Sequence, residues 1–215
     1  MTANLFSLRA VSLLFLGIVG SCVSEKRLMQ QTPVAVIANR LPPLETMTDP
    51  GPLANTDGAD PDDAQRIFRN EVRQNLVEPI DTAAFGYARL TVIKADVQRK
   101  NKGLQYFQFL TLLTPSLFGV PLETYSTDVT AEVQITDVTG KVLGTYTGKG
   151  RSNVQVAMYY GYSQRAAPRL SDLMALRNAL AKIRPQLDSA SVRLRPLLLA
   201  GGHMEATPPD PATRR

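Results

Sequence analysis

Apolar and polar residues alternate most regularly from Thr127 to Val138, where Val129, Ala131, Val133 and Ile135 interleave with Thr130, Glu132, Gln134 and Thr136. A period of two places the first set on a buried sheet face and the second in water. Asp137-Val138-Thr139-Gly140-Lys141 then predicts a hairpin turn, with Gly140 supplying a positive φ. The return strand is expected from Val142 to about Gly150, extended or restarted by Asn153 to Tyr160. Tyr87 to Val97 is also strand-like, with Leu90 and Val92 on one face and Thr91, Ile93, Ala95 and Val97 on the other. Pro33 to Ala38 is short and apolar enough for a buried first strand.

Two stretches carry the helical period instead. Asp60 is placed to cap a first helix, with Pro61 in its first turn and Asp62 and Asp63 near the positive end of the dipole. Ala64, Ile67, Phe68, Val72 and Leu76 form its apolar face, and Pro79 is expected to end it. A final helix is predicted over about Leu170 to Leu187, with Leu170, Leu173, Met174, Leu180, Ile183 and Leu187 on one stripe and Pro185 as a kink or stop. These elements predict an α+β fold in the order β-α-β-β-β-α: a mostly antiparallel sheet with two amphipathic helices packed on one face. One domain is expected over 33–200, including a Pro-rich loop at 41–61 and a disordered tail at 201–215.

Composition narrows the function classes. The chain has 215 residues, 20% charged, which suits one ordinary domain and argues against global disorder. The net charge of +5 is small and unclustered, so no nucleic-acid partner is expected. The single cysteine excludes an internal disulfide and any zinc site needing two thiolates.

That cysteine closes an N-terminal export pattern. Arg9 is the only charge before Glu25, Ala10 to Val19 is apolar apart from Ser12 and Gly17, and Gly20-Ser21 precede Cys22. A run this short fits a signal-peptide core and is too short to span a ~30 Å hydrocarbon layer. Val19-Gly20-Ser21-Cys22 resembles the lipobox of bacterial lipoproteins. The resemblance implies diacylglycerol on the Cys22 thiol, cleavage between Ser21 and Cys22, a signal peptide at 1–21 and a tether at 22–32. Acyl chains on Cys22 would bind the chain to a membrane. Val23, in place of an Asp resembling an inner-membrane retention signal, points to the outer membrane, with the domain facing the periplasm.

The acid–base inventory is thin. His203, the only imidazole, lies in a Gly-Gly-His-Met tail, so a triad or Cys/His site is not expected and no catalytic residue is assigned. Asp57, Asp60, Asp62 and Asp63 suggest helix capping rather than a calcium loop, and no metal or other cofactor is expected. Glu123, Asp128, Glu132 and Asp137 are expected on the wet strand face.

Two segments remain as candidate contact surfaces. Leu104 to Leu122 has no charge in nineteen residues but is broken by Pro115, Gly119, Pro121 and two glutamines. It reads either as a buried strand with a crossover beneath the sheet or as a membrane- or subunit-facing hairpin carrying Phe107, Phe109, Leu110 and Phe118. Tyr159, Tyr160 and Tyr162 would either stack on a partner or close a core corner.

In element order the body resembles small envelope lipoproteins, including the N-terminal domain of TolB-like proteins and curli-secretion (CsgG-like) lipoproteins. The first expectation is a non-enzymatic lipoprotein acting by binding an envelope protein partner, an accessory or scaffold in outer-membrane maintenance or assembly. The alternatives are an oligomeric export or pore component of CsgG-like type and a cell-wall enzyme with a carboxylate pair.

Overall fold

The computed structural model describes residues 33–79, 83–112, 114–117, 120–157 and 162–204. The expected signal peptide, Cys22, the tether, Phe118, Tyr159, Tyr160 and residues 205–215 lie outside them. The fold is α+β, in the expected order with two added short helices. Strand β1 (Glu45–Asp49) is followed by helix α1 (Pro61–Glu71), strand β2 (Gly86–Lys100) and the short helices α2 (Lys102–Leu110) and α3 (Thr114–Leu117). Strands β3 (Glu123–Asp137) and β4 (Val142–Val156) and a long helix α4 (Ala167–Ala200) complete it. The sheet order is β1-β2-β3-β4, with β2, β3 and β4 antiparallel and β1 parallel to β2, so the sheet is mixed.

The two long hairpin strands follow the alternating pattern. Val129, Ala131, Val133 and Ile135 are buried together with Ala88, Leu90 and Val92 of β2. Asp137 closes the turn by accepting from the backbone amides of Thr139 and Lys141, and Gly140 has φ +82°. β4 runs unbroken to Val156, so Asn153 extends the return strand and does not restart it. Glu123 departs from expectation. It lies five residues from Asp128, hence on the opposite face, and is buried against Arg99.

Three other expectations are corrected. Pro33 to Ala38 is not a strand. Asn75 clamps it instead, accepting from the Ala35 amide at 2.8 Å and donating to the Pro33 carbonyl at 3.0 Å. Val34 and Val36 are exposed and only Ile37 enters the core. The first strand is the polar run Glu45–Asp49, inside the expected Pro-rich loop. In β2 the register shifts between Val92 and Lys94, leaving Ile93 as an extra, exposed residue. That bulge returns Ala95 to the core side, opposite Val129, rather than to the face of Thr91.

α1 starts as predicted: the Asp60 carboxylate accepts from the Asp62 amide at 3.2 Å, and Ala64, Ile67 and Phe68 are buried. A π-helical turn, Val72–Leu76, carries its apolar face on, and the helical stretch stops before Pro79. α4 begins three residues earlier than expected and passes through both Pro185 and Pro196. An interior proline costs a helix about 3 kcal/mol. Leu187, Leu194 and Leu198 lie beyond the first proline, fully buried, and each returns about 1.5–3 kcal/mol. Tertiary burial therefore outweighs the local cost. Past Gly201 the chain stays attached: the Met204 amide donates to the Ala84 carbonyl at 2.8 Å, and the His203 ring meets Phe85 edge-on.

α4 lies directly on β4 because two strand positions have no side chain. A Cβ on Gly150 would come within 2.3 Å of the Ala179 amide, and one on Gly148 within 2.3 Å of the Ala179 carbonyl oxygen. Hydroxyls then seat the start of the helix. Thr56 and Thr127 donate to the Asp172 carboxylate at 2.6 and 2.8 Å, and Ser171 lies 2.8 Å from Thr127 and 2.7 Å from Ser152. Burial pushes the Asp172 carboxyl up from its ordinary range, opposed by those two donated bonds. A Gly150→Val variant is expected to lose about 3 kcal/mol or more of stability through overpacking. Chemical denaturation would check this, and a midpoint equal to wild type would contradict the close packing.

Candidate contact surface

β2 and β3 pair to their ends, Lys100 opposite Thr124, so the chain between them leaves the sheet at a defined neck. Arg99 forms a two-point ion pair with Glu123, Nε to Oε2 at 2.7 Å, while Gln164 donates to Oε1 at 3.1 Å. The guanidinium also sits 5.6 Å from the Tyr125 ring centre. The hydrogen bonds that Arg99 donates to Glu123 raise the Arg99 pKa, and burial raises that of Tyr125. Asn101 turns the chain with φ +70°, a conformation its short amide side chain tolerates, and α2 follows at once.

Among the described side chains of α2, the arrangement of an ordinary surface helix is inverted. Gln108 is fully buried, while Tyr106, Phe107, Phe109 and Leu110 are exposed. At 3.6 residues per turn those four cover an arc of about 160° opposite Gln108. Leu110 is 84% exposed and Leu112, just past the helix, is 88% exposed. Polar contacts hold the inner side: Gln108 Nε2 donates to the Pro121 carbonyl at 2.9 Å, and the buried Ser116 hydroxyl donates to Gln108 Oε1. Burying an apolar side chain of this size contributes about 1.5–3 kcal/mol, so the five outward residues leave on the order of 5–10 kcal/mol unrealised in the free chain. Exposed apolar surface on that scale makes this face the candidate contact surface.

Of the residues singled out from sequence, Phe107, Phe109 and Leu110 are brought together on this face. Tyr162 is not. Its amide donates to the Gln155 carbonyl, and its ring is half-buried beside the cluster of Tyr125, Val154, Val156 and Leu170. Tyr106 and Leu112 belong to the face and were missed, although both lie in the charge-free run that drew attention to the segment. Among the described residues of the segment, α2 and α3 are helical and no buried strand is formed.

The remaining polar clusters are internal supports. Glu71 pairs with Arg184 at 2.6 Å and Asp63 with Arg169 at 2.7 Å. Asp60 caps α1 and also meets Arg169 at 2.7 Å, so helix capping and this arginine account for two of the four clustered aspartates. Among the described residues no group of three His, Cys, Asp or Glu side chains could hold a metal ion. An open, mostly polar cleft of about 470 Å³ lies beside the neck, between Asn55, Thr56 and Asp57 and the edge of β2 at Ala95, Val97 and Arg99. No described helix is long and apolar enough to cross a membrane. In comparisons with known proteins, no family model and no curated protein matches this chain.

A Gln108→Leu variant should lose about 1–3 kcal/mol, because the Ser116 hydroxyl and Pro121 carbonyl lose their partner. It should also be cut faster by protease within residues 102–117. Leu110→Ser, on the outer face, should stay within about 0.5 kcal/mol of wild type. Equal effects of the two substitutions would show that α2 is not pinned through its polar side.

Proposed function

We propose that this chain is a non-enzymatic, membrane-anchored lipoprotein of the bacterial envelope that acts by binding, as an accessory or scaffold in outer-membrane maintenance or assembly. Acyl chains on Cys22 hold it at the membrane, and the outward face of α2 makes the functional contact. The observation that carries this reading is the inverted helix: four apolar side chains face water while a glutamine is spent on the inner side. A segment serving only the core would be oriented the other way round, since apolar residues gain most from burial. The lipobox-like Val19-Gly20-Ser21-Cys22 supplies the address. On this reading the mature chain starts at Cys22.

The test is a chain carrying Phe107→Ser, Phe109→Ser and Leu110→Ser together, expressed from its own signal in a strain lacking the wild-type protein. The expected result is the same envelope-permeability defect as in the deletion strain, with the thermal midpoint of the purified variant unchanged. Full complementation by the triple variant would overturn the assignment of α2 as the functional surface.

A further inference from the structure

We propose that the occupant of the α2 face is lipid: the helix lies in the boundary between headgroups and acyl chains of an anionic bilayer. This inference rests on the reading of α2 as the binding surface and names what that surface binds. Charge is the first support. Arg99 is already paired with Glu123, but Lys100 and Lys102 flank the start of α2 and no acidic residue lies between Lys100 and Leu122. Cations beside an apolar, aromatic face suit a negatively charged membrane surface.

Size is the second. α2 has nine residues, about 14 Å of helix, against a hydrocarbon layer of ~30 Å. It can lie in the interface and cannot cross it. A helix of that length offers on the order of 200–400 Å² on one side, well short of the ~800 Å² per partner of a stable protein interface. Backbone satisfaction is the third support, since a helix brings its amide groups into lipid already hydrogen-bonded.

The tether allows the geometry. The tether joins the domain at Pro33, whose carbonyl accepts from Asn75 beside the Glu71–Arg184 pair, whereas the neck lies beside the start of α4, at Gln164 and Ser171. From Arg184 back to Ala167 is 17 residues of helix, about 26 Å. The eleven residues from Cys22 to Thr32 reach up to about 36–40 Å when extended. A lipid on Cys22 and the α2 face can therefore meet one bilayer.

The chain contains no tryptophan, so a single introduced one reports its own surroundings. The purified full protein carrying Phe109→Trp would be mixed with phosphatidylethanolamine–phosphatidylglycerol vesicles, with and without brominated acyl chains. Val192→Trp, at an exposed position on α4, serves as the control. The expected result is a blue-shifted emission and loss of intensity in brominated vesicles for Phe109→Trp only. Lys100→Gln with Lys102→Gln should weaken that quenching at low salt. Unchanged Phe109→Trp emission, or equal quenching of both reporters, overturns the lipid assignment. If the triple serine variant nonetheless shows the envelope defect, α2 remains the binding surface and its partner is a protein. If that variant also complements fully, both readings fall.

Discussion

The rest of the molecule depends on how closely α4 can lie against β4. Gly148 and Gly150 leave the strand without side chains where Ala175 and Ala179 of the helix arrive, so backbone meets backbone. That approach lets one helix of 34 residues pack along β4 and β3, and its leucines reach a core shared with β2, β3 and α1. It also explains why two prolines are tolerated, since the far half of the helix is held by burial rather than by its own hydrogen bonds. The start of α4 is seated by hydroxyls and by Asp172, next to the neck from which α2 projects.

The neck turns this rigidity into a platform. Arg99 and Glu123 bridge the end of β2 and the start of β3, so the projecting segment leaves a fixed strand pair. Gln108 and Ser116 then fold it back on itself and fix which side faces out. Apolar burial cannot set that orientation, because it favours turning Phe107, Phe109 and Leu110 inward. A short polar contact opposes it by making the inner side specific, as an unpartnered buried amide would be costly. The outer face is thereby presented to solvent.

Much of this fold was legible in the sequence wherever local pattern and tertiary need agree. The Asp60 cap, the apolar face from Ala64 to Leu76, the alternation of β3 and the turn at Gly140 each follow from a short-range rule. The failures have physical causes. Glu45–Asp49 is a strand only because it pairs with Tyr87–Thr91, and its alternation of exposed residues carries no hydrophobic signal. Ile93 is expelled by a bulge that no composition marks. α4 outruns Pro185 because distant leucines decide its length. The charge-free run at 104–122 was recognisable as unusual, yet its orientation was not. Gln108 read as an interruption of an apolar stretch, whereas it is the residue that presents that stretch outward.

Hydrogen exchange along the full chain, with and without anionic vesicles, tests most directly the claim that a preformed, outward-facing α2 is where this protein makes contact. In the free protein the amides of residues 106–111 should exchange as those of a formed helix, slower than an unstructured segment. On adding vesicles, new protection should concentrate in residues 101–117 and leave β4 and the middle of α4 unchanged. An α2 that exchanges as open chain in the free protein, or vesicle protection that falls elsewhere on the domain, would contradict the account.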